Sequence, residues 1–227
     1  MREFFKVELA GWKKTEVVWL TFVCIMIAVL SICMRDSIMG IISAVSGVLY
    51  VILSGKGKLM AYIFGIVNCV LYSVISYKAQ LFGETLLNVF YYIPMMFVGF
   101  FLWKRNMSEE TNEVKKQCMT VCGRSILAGL IFLATAIFGK VLENMGDALP
   151  YVDSFTTVSS IIAMVVAVRR YSEQWWIWLF VNLFSIYMWW QNFSSGQDNF
   201  ATFVMWIVYL INGIFILIKW ERELKTR

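Results

Sequence analysis

Residues 85–103 read TLLNVFYYIPMMFVGFFLW, a run without a single charged side chain. An α-helix rises about 1.5 Å per residue, so about 20 residues cross the roughly 30 Å hydrocarbon core of a bilayer. Every backbone N–H and C=O group inside that core must be paired, and a helix pairs them within one segment. The run therefore predicts a transmembrane helix.

Seven further apolar runs of similar length lie on either side of it. They are residues 17–34, 37–54, 59–77, 125–142, 151–168, 174–192 and 200–218. Of all residues, 60% are hydrophobic and 15% charged, whereas a soluble domain usually carries about 25% charged residues. The sequence therefore predicts an all-α polytopic membrane protein with eight transmembrane helices. The first run follows Lys13 and Lys14 and leads directly into a second, so we expect it to stay as an anchor.

The basic residues indicate which ends of these helices face the cytoplasm. With eight crossings, Arg35, Lys78 and Lys140 fall on one side and the rest of the 20 Lys and Arg residues on the other. Because Lys and Arg concentrate in cytoplasmic loops, both termini are expected in the cytoplasm. The net charge of +5 comes from these loops, so we expect a lipid bilayer and no nucleic acid as partner.

Composition also limits the chemistry that the chain can perform. It contains no histidine, which excludes a His-based catalytic triad, a histidine zinc site and a histidine haem ligand. The five cysteines show no metal-binding spacing. We therefore expect no enzyme activity, no metal and no cofactor.

An internal repeat appears when positions 114 to 117 residues apart are compared. The second, third and fourth helices match the sixth, seventh and eighth through five pairs: Asp36-Ser37 with Asp153-Ser154, Val67-Asn68 with Val181-Asn182, Thr85 with Thr202, Tyr92 with Tyr209, and Trp103 with Trp220. Both units enter the membrane in the same direction, which predicts two parallel three-helix bundles joined by one inverting helix. This is the SWEET-like 3+1+3 arrangement, with an additional N-terminal helix.

The expected divisions of the chain follow from that arrangement. They are residues 1–36 for the N-terminal segment and extra helix, 37–103 for the first bundle, 104–150 for a cytoplasmic loop and the linker helix, 151–220 for the second bundle, and 221–227 for a cytoplasmic tail.

Polar and aromatic side chains within the bundles are the candidate substrate-binding residues. They lie on single faces of four helices: Asn68 and Tyr72; Asn88, Tyr91 and Tyr92; Trp178, Asn182 and Trp189; Trp206 and Tyr209. Aromatic faces with a few amides suit a flat, hydroxylated, cationic ligand. The alternative is that the amides join helices and the rings belong to the interfacial belt. We expect belt positions for Trp12, Trp103 and Trp220, which flank the apolar runs beside basic residues.

The acidic residues bear on how transport would be driven. Glu84 is expected at the mouth of the fourth helix and the other acids in loops or tails, so we expect no carboxylate at mid-membrane. Ion-coupled transporters commonly place ionisable groups there, and this pattern favours an uncoupled pathway.

The fourth apolar run also carries a family resemblance. Residues 83–103 match the pattern G-E-x-x-L-N-x-x-Y/F-x-x-P-x-x-x-x-G-x-x-x-W, and Trp175-Trp176-Ile177-Trp178, Asn182 and Trp206-x-x-Tyr209 add to it. Over about residues 37–220 the chain resembles the PnuC nicotinamide riboside transporter family. The resemblance implies a SWEET-like fold, facilitated diffusion of nicotinamide riboside, a homotrimer in the bacterial inner membrane, and trapping of the vitamin by cytoplasmic phosphorylation.

Other readings of the sequence remain open. Related family members carry thiamine or riboflavin, so the family alone leaves the vitamin undecided. A membrane receptor of the seven-helix type would predict neither the repeat nor an even number of spans. A membrane enzyme would need a nucleophile or base that the sequence does not offer.

Overall fold

The structure is a computed structural model that describes residues 8, 11–79, 82–144, 146, 150–196 and 200–225, without the side chains of 82 and 83. Its helices are α1 (Lys14–Cys33), α2 (Ile38–Lys56), α3 (Met60–Lys78), α4 (Phe82–Leu86), α5 (Ile93–Lys104), α6 (Val121–Asn144), α7 (Pro150–Val168), α8 (Glu173–Ser194) and α9 (Phe200–Lys225). A π-helical segment, Leu87–Tyr92, joins α4 to α5.

The helices confirm a polytopic membrane protein. Among the described residues, seven helical segments are long and apolar enough to cross a membrane: α1, α2, α3, Glu84–Lys104, α6, α7 and α9. α8 is also long enough, with 22 residues, but its many Trp and polar residues lower its mean hydropathy. The described part of the chain therefore forms seven or eight apolar helices.

The shortest predicted connection, between α1 and α2, is a true reversal. Arg35 has a φ of 58°, in the left-handed region that ends a helix. Two residues later the Ser37 hydroxyl accepts a hydrogen bond from the Gly40 amide at 3.0 Å and caps α2. Two separate helices form although only a few residues divide the apolar runs.

Helices of each predicted bundle also pack on helices of the other bundle. α2 packs mainly on α3 and α9, and α8 packs on α7 and α9. α5 packs on α3 and also on α7. The first helix of each predicted bundle therefore contacts the last helix of the other.

α1 and α6 lie at the periphery. α1 packs on α2 and α9, and α6 packs mainly on α7. Gly139 is the single buried residue of α6, whereas Phe132 is 77% exposed. Such an apolar exposed surface is what a lipid-facing helix presents.

The loop between α5 and α6, residues 105–120, ties several helix ends together, and we call it the strap. The Val114 amide donates to the Gly57 carbonyl at 3.0 Å, and the Gln117 amide donates to Arg170 at 3.0 Å. Lys116, almost fully buried, pairs with Glu223 near the end of α9 at 2.5 Å. The strap thus joins the α2–α3 turn, the α7–α8 turn and α9 at one end of the molecule, which we call the basic face.

Two tryptophans near the basic face link the predicted bundles in matching ways. The Trp103 ring N–H donates to the Ala167 carbonyl of α7 at 3.2 Å, and the Trp220 ring N–H donates to the Gly55 carbonyl of α2 at 2.7 Å. Both side chains are fully buried. The expectation that they belong to the interfacial belt is therefore wrong, because their polar edges bond to protein and not to the lipid–water boundary.

Candidate functional site

A cavity lies between the six helical spans of the two predicted bundles. Its described lining comes from α2, α3, the α4–α5 span, α7, α8 and α9, and no described residue of α1 or α6 contributes. The atom-free space amounts to about 950 Å³, including the part that opens to solvent. Ligand sites for small molecules commonly lie between helices.

Eight of the ten predicted binding residues line this cavity. They are Asn68, Tyr72, Asn88, Tyr92, Trp178, Asn182, Trp206 and Tyr209. The other two, Tyr91 and Trp189, do not. The Tyr91 hydroxyl donates to the Ile161 carbonyl at 2.6 Å, and Trp189 is fully buried behind the cavity wall.

The three amides differ in how far the protein already uses them. The Asn68 Nδ2 donates to the Ser43 carbonyl of α2 at 2.9 Å, so Asn68 joins two helices. The Asn88 Nδ2 donates to the Glu84 carbonyl at 2.8 Å, one helical turn earlier. The Asn182 side chain has no hydrogen bond to any described residue, although only 4% of its surface is exposed. Asn182 therefore keeps its full donor and acceptor capacity for a ligand.

One wall of the cavity is a cluster of rings from α3 and α9. Tyr72 and Trp206 meet edge to face with centroids 6.3 Å apart, and Trp206 meets Tyr209 at 5.3 Å. The Trp189 ring N–H donates to the Tyr72 hydroxyl at 2.8 Å from behind. Trp189 thus positions Tyr72, which faces the cavity.

The Tyr209 hydroxyl depends on a glycine that the sequence analysis did not single out. It is buried without a hydrogen-bond partner, and it lies so close to Gly47 of α2 that a Cβ there would overlap it. The same Cβ would lie 2.8 Å from the Asn68 Nδ2. Gly47 therefore makes room for two cavity side chains, as small residues do between membrane helices.

The opposite wall contains Tyr92 and Trp178, whose ring centroids are 6.4 Å apart. Tyr92 lies in the π-helical segment, which adds a residue to one turn and re-aims the side chains around it. Pro94 at the start of α5 lacks the N–H that would bond four residues back and crowds that carbonyl. Pro94 was the signal in the sequence for this wide turn. The prediction of a regular helix over the whole span did not take it into account.

The cavity also contains polar residues that sequence reasoning missed. Its lining includes Tyr50, Ser54, Thr156, Ser160, Gln174 and Ser185. Ser185 follows Asn182 by three residues and Gln174 precedes Trp178 by four, so helical spacing from the predicted residues was the available signal for these two.

Glu84 belongs to the cavity lining as well. It begins the apolar span Glu84–Lys104, so the expected place at the mouth of that helix also puts it in the cavity lining. The described lining contains no Lys or Arg, so its single carboxylate faces no basic side chain within the cavity. No group of three or more metal-ligating side chains occurs among the described residues.

Comparisons with known proteins agree with this geometry. A family model described as nicotinamide mononucleotide transporter matches residues 37–222. The chain is 36% identical to the nicotinamide riboside transporter PnuC of Neisseria mucosa, covering 99% of this chain and 86% of that protein. It is 31% identical to the Haemophilus influenzae PnuC, covering 96% and 94%.

A solved structure is similar over nearly the whole chain. The crystal structure of the vitamin B3 transporter PnuC superposes with a TM-score of 0.88 at 35% identity, covering 99% of this chain and 98% of that one. The relatives are named as transporters.

Proposed function

The chain belongs to the nicotinamide mononucleotide transporter family, and we propose that it carries nicotinamide riboside across the bacterial inner membrane. The observation that carries the proposal is the cavity of aromatic rings and amides between six helices. The rings can stack on the nicotinamide ring, and the amides can bond the ribose hydroxyls and the carboxamide. The chain is a transporter and not an enzyme.

The charge of the cavity favours the riboside over the mononucleotide. A phosphate group carries close to two negative charges at neutral pH and is usually bound by Arg, Lys or a helix N-terminus. The described lining contains no Lys or Arg and has one carboxylate, Glu84. Nicotinamide riboside lacks the phosphate and bears a pyridinium cation, so it matches this lining.

We propose that the helices form the SWEET-like 3+1+3 arrangement with α1 as an addition. The divisions are those expected from sequence, with bundles at 37–103 and 151–220, α6 as the linker, and the flanking segments 1–36 and 221–227. Two observations support this arrangement. The cavity is lined by all six bundle helices, and the first helix of each bundle packs on the last helix of the other, α2 on α9 and α7 on α5.

We propose further that both termini lie in the cytoplasm. The strap brings basic residues of separate loops to the basic face, where Lys116 pairs with Glu223 and Lys56 pairs with Glu16. Concentration of Lys and Arg on one side is the pattern of cytoplasmic loops. A homotrimer remains a proposal that rests on the family resemblance.

Transport is proposed to be facilitated diffusion, with trapping by cytoplasmic phosphorylation of the riboside. A substrate that is consumed inside the cell enters down its own gradient, so no coupling ion is needed. Glu84 lines the cavity from the first position of its span, so the proposal keeps the expectation that no carboxylate lies at mid-membrane.

Uptake of radiolabelled nicotinamide riboside into proteoliposomes tests the function. We expect the internal concentration to rise to the external one and stop there, with or without proton and sodium gradients. Unlabelled nicotinamide riboside should compete, whereas thiamine, riboflavin and nicotinamide mononucleotide should not. Stronger competition by thiamine or riboflavin would assign another vitamin, and accumulation driven by an ion gradient would contradict facilitated diffusion.

A further inference from the structure

Glu84 brings a carboxyl group to the cavity. The residue lies in α4, and its side chain lines the cavity together with Asn88, one turn later on the same helical span. Asn88 is only 4% exposed and donates its Nδ2 to the Glu84 backbone carbonyl at 2.8 Å. The two side chains therefore share one face of the span.

Nothing in the described structure neutralises this carboxylate. No described side chain or backbone amide donates a hydrogen bond to it, and the described cavity lining has no Lys or Arg. Removing a carboxylate from water without a partner costs several kcal/mol. A cation bound beside Glu84 would offset that cost.

We propose that Glu84 is the counter-ion that makes the cavity select a positively charged nucleoside over a neutral one of the same shape. The inference rests on the proposed function and adds a charge criterion to it. The aromatic rings attract a cation by about 0.5–2 kcal/mol each and accept flat neutral ligands as well. The rings therefore discriminate only weakly between charged and neutral ligands, whereas a carboxylate favours a ligand with a fixed positive charge.

Reduced nicotinamide riboside is the probe that separates the effect of ligand charge from the effect of ligand shape. It keeps the ribose and carboxamide, but its dihydropyridine ring is uncharged. Affinities of both forms are measured by titration calorimetry on purified wild-type protein, Glu84→Gln and Glu84→Asp. Glu143→Gln is the matched control, because that carboxylate lies near the end of α6 outside the cavity and is 46% exposed.

We expect the wild type and Glu143→Gln to prefer the cationic form. Loss of one charged contact should weaken binding of the cation by about ten- to 150-fold in Glu84→Gln, while binding of the reduced form changes less than about two-fold. Glu84→Asp keeps the charge and should keep the preference.

Three results would overturn the proposal: equal losses for both forms in Glu84→Gln, no loss for either, or a wild type without preference. Failure of the proposed function looks different, because the wild type would then bind neither form.

Discussion

Asn68 and Asn182 occupy matching positions in the two repeats but have different surroundings. Asn68 is bonded to Ser43 of α2, and Asn182 has no partner among the described residues. Sequence reasoning could identify both amides because the repeat marks them. It could not separate their roles, since the Ser43 contact depends on how α2 and α3 pack.

Replacing Asn68 tests its double role. Asn68→Leu removes the bond that joins α3 to the Ser43 carbonyl of α2, so we expect a lower melting temperature as well as weaker binding. A net loss of about 0.5–1.5 kcal/mol in stability is typical for one such bond. Thermal unfolding and calorimetric affinity are measured on the same sample. An unchanged melting temperature would show that the Ser43 bond contributes nothing.

Gly47 offers a second test at this scale. Gly47→Ala puts a methyl group where the Tyr209 hydroxyl lies, so the ring must move. Loss of its contact with a cationic ligand, worth about 0.5–2 kcal/mol, should lower substrate affinity by a factor of a few to about thirty. Tyr209→Phe removes the overlapping oxygen, and the double variant should regain part of the affinity lost in Gly47→Ala. Additive losses in the double variant would show that the glycine acts elsewhere.

At the scale of single elements, the π-helical segment Leu87–Tyr92 determines where Asn88 and Tyr92 point. Proline in the following helix disfavours a regular α-turn at this place. Pro94→Ala restores the missing donor, so the span can close into a regular helix. We expect an equal or higher melting temperature together with weaker nicotinamide riboside binding.

The same unfolding and binding measurements check this prediction. Pro150→Ala is a control, because Pro150 begins α7 and proline is tolerated at the first turn of a helix. It should leave the affinity unchanged. Full affinity in Pro94→Ala would mean that the wide turn does not set the binding geometry.

The strap is the element that sequence reasoning did not anticipate. Residues 105–120 are polar and show neither helical nor strand periodicity, so they were expected only as a loop. Their order comes from backbone bonds to distant turns, such as Val114 to Gly57. Such bonds depend on tertiary position and leave no local pattern in the sequence.

At the scale of the whole molecule, the apolar spans and their repeat could be predicted from the sequence, because bilayer thickness sets the length of every span. The hydrogen bonds by which Trp103 and Trp220 link the two bundles could not be predicted in this way. Their partners, Ala167 and Gly55, are distant in sequence, and the tryptophans were assigned to the lipid boundary. Both links join the two predicted bundles near the basic face.

These links give a prediction about opening. The double variant Trp103→Phe, Trp220→Phe keeps aromatic packing but removes both hydrogen bonds, each worth about 0.5–1.5 kcal/mol. We expect the cavity to open more often toward the basic face. Alkylation of Ser54→Cys by a membrane-impermeant maleimide applied from that face should be about five-fold faster or more, in protein whose native cysteines are serine.

Trp176→Phe is the matched control for this experiment. Its ring N–H donates to Glu221 near the end of α9, a bond between α8 and α9 that does not join the two predicted bundles, so its loss should leave the alkylation rate unchanged. Equal acceleration in Trp176→Phe and in the double variant would mean that the links between bundles have no special role in opening.

The most direct test asks whether nicotinamide riboside binds in the six-helix cavity. Its affinity is measured by calorimetry for the wild type, Asn182→Leu and Asn212→Leu. Asn212 is equally buried on α9 but accepts a hydrogen bond from Trp19 of α1, outside the cavity. We predict a five- to 150-fold loss of affinity, about 1–3 kcal/mol, in Asn182→Leu alone. Wild-type affinity in Asn182→Leu, or an equal loss in Asn212→Leu, would contradict it.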